Sequence, residues 1–406
     1  MKVLLSEASS LTAREHLTVL ATAGVQVDAL SCINQPLARF SRWCHAVHRA
    51  PSASLDPLGY LRAVAALMGT GDYDALLPTH EQAWLFAVGR HLLPERIPLA
   101  VAPAEVFDQV QGKLAFCRLL DKLNLPQPAW KVVTNARDIA KVGFPCWLKS
   151  DFSTAGRGVR HVPDPGAAAR TLTALSACGA PVIAQRPAPG RYAQAGALFE
   201  HGRLIAVHTS EKIGEGAGGS AAARLGVDHP LVREHIAEIG AHLSWHGGLT
   251  LDYLHEGGIP QYIECNPRTV EPGNAAASGV DLPMLTIALS TGGPLPTQPL
   301  IGTPGLRTHS ALALMLGSAE RSGHRRSALA TLSLALAGKG PYRNSLEVLT
   351  PLRGDPPSGL PLLIATTKVL RHPDAVATLA ADAVAAYSVT PDAITLTRAT
   401  SASAAP

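Results

Sequence analysis

The stretch GGLTLDYLHEGGIPQYIECNPR, residues 247–268, limits the fold more than any other. Two apolar runs flank the turn HEGG, the signature of a β-hairpin, so one sheet of this chain contains antiparallel strands. Side chains two apart on a strand share a face. Glu264 and Asn266 therefore point the same way, and pairing across so short a turn lets Asp252 join them. Two carboxylates and an amide oxygen in one place are costly to bury unless a cation joins them. Hard oxygen donors of this kind suit Mg²⁺, which keeps its own waters and bridges nucleotide phosphates. Arg268, two residues past Asn266, stands where a guanidinium can clamp a phosphoryl group or a carboxylate.

The chain begins in another style. KVLLS (2–6) reads as a short buried strand, TAREHLTVLATAG (12–24) follows with helical spacing and a glycine stop, and VQVDAL (25–30) reads as the next strand. This βαβ order predicts a parallel sheet. SEASSLTAR, between strand and helix, lacks G-x-G-x-x-G, which argues against a dinucleotide site there. A helical segment (56–71) precedes YDALLPTHEQAWLFAVGRHL (73–92), whose strand ends in Pro78, Thr79, His80 and Glu81. Strand C-termini of a parallel sheet face the ligand crevice, so His80 and Glu81 are candidates to line it, although helix capping and solvation account for the same residues. The first 100 residues read as one open α/β domain.

At 406 residues the chain has length for two or three domains, and 47% hydrophobic against 16% charged residues describes full cores under a rather neutral surface. Its 35 Lys and Arg against 31 Asp and Glu give +4, and apart from RSGHRR (321–326), read as a solvated helix face, the basic residues are scattered. A nucleic-acid footprint needs a coherent basic surface, so that class is set aside. Six cysteines stand far apart without CxxC or Cys/His metal spacing and read as reduced core thiols. MKVLLSEASS turns polar after three apolar residues, and no apolar run reaches 18 residues. These features predict a cytoplasmic protein with no membrane span.

QGKLAFCRLLDKL (111–123) carries Lys113 in the first turn of a helix. GFPCWLKSDFSTAGRGVRHV (143–162) then reads as a strand with Lys149, a loop of Ser153, Thr154, Ala155, Gly156, Arg157 and Gly158, and a second strand. Small loop residues let backbone N–H groups come close to an anion, and Lys149 adds the fixed positive charge that a polyphosphate needs. G-x-x-x-x-G-K-[ST] is absent and no helix follows, so this is not a P-loop; a plain hairpin turn reads from the same residues. PVIAQRPAPG (181–190) is a strand ending in a proline-rich connector whose backbone groups suit an adenine edge. LIAVHTSEKIG (204–214) gives way to EGAGGSAAA, a second small-residue loop. There Lys212, Gly218, Gly219 and Ser220 are candidates to touch phosphate or carboxylate. After a Gly- and Pro-rich boundary, helical stretches dominate to a frayed SASAAP tail, and Tyr342, Arg343, Ser345, Glu347 and Asp355 lie in turns where loop capping accounts for them.

In order and spacing these motifs resemble the ATP-grasp superfamily, in particular its carboxylate–amine ligases related to the carbamoyl-phosphate synthase large-chain ATP-binding type, over roughly residues 1–295. The resemblance implies an α/β ATP-grasp fold: an N-terminal open α/β pre-ATP domain (1–100), an ATP-grasp domain (101–295) with a small lid subdomain at about 125–187, and a helix-rich C-terminal region (296–406). It implies ATP held by Lys113, Lys149, the loop of Ser153, Thr154, Gly156 and Gly158, and Gln185, Arg186 and Pro187, the last three chiefly through backbone. Members more often carry an acid where Arg186 stands. It further implies Mg²⁺, or Mn²⁺ in its place, on Asp252, Glu264 and Asn266, with Arg268, Lys149 and Lys212 as the catalytic set. Such enzymes move the γ-phosphoryl of ATP to a carboxylate and let an amine displace the phosphate. The expected substrates are then a small carboxylate, an amino acid or specialised-metabolite acid, and an amine. A bicarbonate-using carboxylase, a nucleotide-biosynthesis ligase and a non-catalytic nucleotide-binding regulator stay open, although the C-terminal region does not resemble the end of a biotin carboxylase. The assembly is open too, a homodimer included.

Overall fold

The computed structural model describes residues 1–153, 156, 158–177, 179–372 and 375–403. Its strands fall into three sheets that follow one another along the chain. The first holds β1 (Lys2–Leu5), β2 (Gln26–Ser31), β3 (Cys44–Arg49) and β4 (Ala75–Leu77) in the order β3-β2-β1-β4, all parallel. Val3, Leu4 and Leu5 are buried in unbroken succession, as strands covered on both faces require. Helix Leu11–Thr22 starts where Ser10 caps it, the hydroxyl accepting the Ala13 N–H at 2.9 Å.

The second sheet holds β5 (Trp130–Val132), β6 (Cys146–Ser150), β7 (Val159–Val162) and β8 (Val182–Gln185), antiparallel in the order β5-β8-β6-β7. Helices Ala136–Val142 and Pro165–Ser176 cover one face and bury Ile139, Leu148, Leu172 and Ala184.

The third and largest sheet comprises β9 (Arg191–Glu200), β10 (Arg203–Glu215), β11 (Ala221–Val227), β12 (Gly247–Glu256), β13 (Ile259–Asn266), β14 (Leu300–Ile301), β15 (Arg307–His309) and β16 (Ser345–Glu347). Its order is β13-β12-β9-β10-β11-β15-β16, with β14 beside β10. Ala193, Ala195 and Ala197 of β9 face the same side as Leu249, Leu251 and Tyr253 of β12, packed with Val232, Ile236 and Ile239 of helix Pro230–His242. The opposite face presents Gln194 and Asp252.

Two of these strands depart from the sequence reading. RYAQAGALFE forms β9, the strand between β10 and β12, although alanine and glycine favour strands weakly. Within EGAGGSAAA only 216–220 is loop, because Ala221 already pairs with Glu215 and opens β11. The C-terminal region is rich in helix as expected, yet it also gives β14, β15 and β16 to the large sheet and ends in helix Pro391–Ser403, which carries 401–403 of the expected frayed tail. Glu347 accepts the N–H groups of Ala311, Leu349 and Thr350 at 2.8–3.0 Å, the capping role expected of it. Asp355 does more: fully buried, it pairs with Arg14 of the N-terminal domain and accepts the Arg42 N–H at 2.8 Å.

Cys117, Cys146 and Cys265 are buried free thiols, Cys32 and Cys44 are half-buried and free, and Cys178 lies outside the described residues. Among the described residues no helix is long and apolar enough to cross a membrane.

Candidate functional site

The hairpin of β12 and β13 sets the floor. Register pairs Asp252 with Glu264 and Thr250 with Asn266, so the two carboxylates are direct cross-strand neighbours, with about 4.5–5.5 Å between Cβ atoms. Tyr253 then pairs with Tyr262, which leaves Ile263 as an extra residue, a β-bulge. Its carbonyl accepts Lys149 Nζ at 3.2 Å, and Gln185 Oε1 accepts the same amine at 2.6 Å. Lys149 on β6 thereby joins the small sheet to the large one.

Lys113 approaches from helix Lys113–Lys122. Asp151 fixes the start of that helix, its carbonyl taking the Lys113 N–H at 2.9 Å and its carboxylate the Leu114 N–H at 2.7 Å. Lys113 Nζ lies 3.1 Å from Glu264 Oε1 and donates to Ser153 at 3.4 Å (carbonyl) and 3.3 Å (hydroxyl).

Burial and unequal pairing divide the two carboxylates. Burial pushes the Glu264 carboxyl up, but the charges of Lys113 and Lys149 outweigh it and hold the group below the usual range. Among the described residues Asp252 has no cation in contact: burial, with Glu264 adding its charge, raises its carboxyl to about 6 despite hydrogen bonds from Gln194, at 2.9 Å, and Tyr192 and the more distant charge of Arg224. Burial also lowers the Lys149 amine to about 8, with Glu264 opposing. Asn266 donates to Asp252 Oδ2 at 3.3 Å and accepts from Arg268 Nη1 at 2.9 Å. Three oxygen donors on one face, one of them an unmatched buried carboxylate, fit a hard divalent cation.

Arg268 ties this floor to the N-terminal domain. It is buried, with Nη2 3.3 Å from His80 Nδ1 and 3.4 Å from Glu81 Oε1, and among the described residues its Nε has no partner. Burial alone would raise the Glu81 carboxyl; the charges of His80 and Arg268, and a hydrogen bond from His80, hold it at about 2. The strand-end residues His80 and Glu81 thus converge on Arg268. The Tyr387 ring of the C-terminal region lies 4.1 Å from that of His80, a contact with no sequence signal.

The remaining sequence candidates surround this centre. Gly156 has φ +70°, and a Cβ on Gly158 would come within 2.5 Å of Ser153 Cβ, so both positions need glycine. Thr154 lies outside the described residues. Arg186 gives its N–H to Ala129 O at 2.8 Å and its guanidinium to Pro145 O at 3.1 Å, so contacts to a base would fall to other atoms of the connector it shares with Pro187. Lys212 donates to Gly219 O at 2.9 Å and Glu215 at 3.2 Å, and its amine sits 5.3 Å above the ring of Tyr192.

The sequence reading missed a second group beside Lys212. Arg224, opposite Lys212 on β11, is buried with Nη2 2.5 Å from Glu271 Oε2 and with Nη1 unpartnered among the described residues. Burial lowers its guanidinium, but Glu271, with Tyr192 and Glu15 adding to it, outweighs burial and raises it. Glu15 accepts the Gly273 N–H at 2.9 Å, and burial together with Glu271 raises its carboxyl to about 8. Glu15, Arg224, Glu271, Asn274, His309 and Ser310 line one cleft. Glu271 stands just past the asparagine–proline–arginine run, whose polar residues are the one local signal that could have found it; Arg224 and Glu15 carry none.

No family model matches the chain. Over 236 residues, 54% of its length, it is 27% identical to the multifunctional protein pyrABCN of Emericella nidulans, and the match spans 10% of that protein. The structure is similar to carboxyaminoimidazole ribonucleotide synthase from Asperigillus clavatus complexed with ATP, at a TM-score of 0.63 and 14% identity over 90% of this chain and 98% of that one. A biotin carboxylase–ATP complex from Campylobacter jejuni gives a TM-score of 0.57 at 16% identity, covering 73% of this chain and 72% of that one. L-amino acid ligase from Bacillus licheniformis gives 0.53 at 16% identity, covering 71% and 74%.

Proposed function

We propose, from the premise that this chain has the ATP-grasp fold of those structures, that it is an ATP-dependent ligase which activates a small carboxylate and couples it to an amine, releasing ADP and phosphate. The observation that carries the reading is the meeting of two lysines, Lys113 and Lys149, with three oxygen donors, Asp252, Glu264 and Asn266, where the small and large sheets face each other.

In this reading Lys113, Lys149 and the 153–158 loop hold the nucleotide phosphates, with Gln185, Arg186 and Pro187 along the base, and Asp252, Glu264 and Asn266 hold Mg²⁺. When bound, Mg²⁺ offsets charge on the phosphates of ATP. Lys149 answers negative charge on the transferring group, and its bonds to Gln185 and Ile263 O fix it before substrate arrives. The carboxylate rests against Arg268, whose buried Nε lacks a partner among the described residues, and Arg224, cross-strand from Lys212, lines a separate cleft with Glu15 and Glu271. No side-chain nucleophile is required; alignment and electrostatics supply the rate. The small sheet keeps water from the acylphosphate.

A second reading, carboxylation with bicarbonate as the carboxylate, draws support from the likeness to carboxyaminoimidazole ribonucleotide synthase across 90% of this chain. One assay separates the readings: ADP release with ATP and Mg²⁺, screening amino acids, other small carboxylates and bicarbonate, singly and with amines, against Glu264→Ala. Release that needs both a carboxylate and an amine, and vanishes in the variant, supports the ligase. Release on bicarbonate plus an amine supports the carboxylase. Nucleotide binding with no stimulated release across the screen counts against both and favours a regulator.

A further inference from the structure

The opposite face of the large sheet carries a polar cluster that the ligase reading does not use. Side chains alternate along a strand, so Glu211 of β10 and His255 of β12 point away from Lys212 and Asp252. β9 runs between these two strands. Ala193 on it lies opposite both Glu211 and Tyr253, and its methyl group leaves space above the sheet. His229, the residue before helix Pro230–His242, enters that space.

Three potential ligand atoms meet there. Glu211 Oε1 lies 3.0 Å from His255 Nε2 and 3.9 Å from His229 Nε2, and one ligand atom from each residue falls within 4.8 Å of the others. Among the described residues His255 Nδ1, sealed from solvent, has no hydrogen-bond partner, and Nε2, equally sealed, meets Glu211 Oε1 without the geometry of a hydrogen bond, so ordinary hydrogen bonding leaves both ring nitrogens unused. His229 Nδ1 is 2.6 Å from Tyr253 Oη, a contact that turns Nε2 toward Glu211. Arg191, largely exposed, reaches only the other oxygen of Glu211, at 3.5 Å, so Oε1 stays available.

Two imidazole nitrogens and one carboxylate oxygen form a donor set for borderline transition metals, in contrast to the all-oxygen set around Asp252. Zn²⁺ binds such atoms at about 2.0–2.2 Å, which places tetrahedral ligand atoms roughly 3.3–3.5 Å apart. The observed 3.0 and 3.9 Å lie on either side of that range.

We propose that Glu211, His229 and His255 bind one transition-metal ion of the Zn²⁺ class, with water in the fourth position and Tyr253 orienting His229 from outside the ligand set. The ion fastens the start of helix Pro230–His242 to β10 and β12, whose other faces carry Lys212 and Asp252. The three ligands come from three separate elements, so no sequence spacing announces the site. The proposal stands whether or not the ligase reading does.

The test uses the full chain, free of any histidine tag, stripped with a chelator and titrated with Co²⁺ in excess Mg²⁺. One equivalent should produce visible ligand-field absorption that Zn²⁺ abolishes. Zn²⁺ affinity should fall at least tenfold in His255→Gln and in Glu211→Gln, and about tenfold in Tyr253→Phe. His201→Gln, in the separate stacked pair with His246, should leave the titration unchanged. Unaltered binding in His255→Gln, or an equal loss in His201→Gln, overturns the assignment. Where a variant fails to fold, X-ray absorption of the Zn²⁺-loaded wild type decides: two imidazole ligands with light atoms only supports the site, and a sulfur ligand or failure to bind one equivalent overturns it.

Discussion

Replacing Asp252 by asparagine should make the metal-free protein more stable at neutral pH while abolishing Mg²⁺-dependent turnover. Burial, with the charge of Glu264, holds the Asp252 carboxyl at about 6 in the folded chain, against about 3.9 in an unfolded one. A raised folded value means that the native state binds the proton more tightly, so ionisation costs nothing below about pH 3.9, costs progressively more up to about pH 6, and is constant above. Two units correspond to roughly 3 kcal/mol at pH 7. Asparagine retains an oxygen for Gln194, which donates to Oδ1 at 2.9 Å. Its amide group replaces the oxygen that accepts from Asn266 at 3.3 Å, a loss of about 1 kcal/mol. The net expectation is a gain of about 2 kcal/mol at pH 7 and a deficit of about 1 kcal/mol near pH 4. Urea unfolding in chelator at both pH values measures it. Adding Mg²⁺ and ATP should reverse the ranking at pH 7, because only the wild type offers a second anionic donor beside Glu264. A variant that is less stable at pH 7 in chelator, or shifted equally at both pH values, would refute the account of Asp252 as an unmatched buried charge.

Two further outcomes follow from other buried charges. Burial lowers the Lys149 amine to about 8, so the lysine loses its charge as pH rises through that value. Affinity for a non-hydrolysable ATP analogue, measured by calorimetry, should therefore fall between pH 7 and 9, and Lys149→Met should bind weakly with no slope; a parallel slope in the variant would assign the titration elsewhere. Arg14→Met leaves Asp355 fully buried without its cation and should destabilise by about 3–5 kcal/mol, and Arg14→Met with Asp355→Asn should recover part of it. Hydrogen exchange should show residues 345–371 opening first, and an unchanged exchange pattern there would argue against the pair as the tie between the two ends of the chain.

What was legible in the sequence was local. The hairpin announced itself through HEGG and two apolar runs, and strand alternation put Glu264 and Asn266 on one face. Lys113 was legible because it opens a helix with clear apolar spacing. β9 and β11 were not, because RYAQAGALFE and AAARLGV offer small residues whose strand conformation is imposed by neighbours on both sides. Arg224 was hidden with its strand, and Glu15 by distance: it meets Glu271 only once the N-terminal domain packs on the large sheet. The contact of Tyr387 with His80 has the same origin, joining positions about 300 apart in sequence that no periodicity relates.

The bulge at Ile263 shows why a site can be read from one end of a strand and misread from the other. Tyr262 and Glu264 are two apart, so a regular strand would turn both to the same face. Tyr262 is instead fully buried on the helix side, where it packs against Tyr253 and meets His235 at 3.0 Å, while Glu264 faces Lys113 on the other side. The extra residue changes the alternation between them and frees the carbonyl that Lys149 takes. The buried tyrosines thereby fix the register of the hairpin, since a slip of one residue would drive Asp252 into the apolar core and Tyr253 into the site. Packing on one face thus positions the charges on the other, and the cost of holding Asp252 ionised is borne by the aromatic and aliphatic contacts behind it.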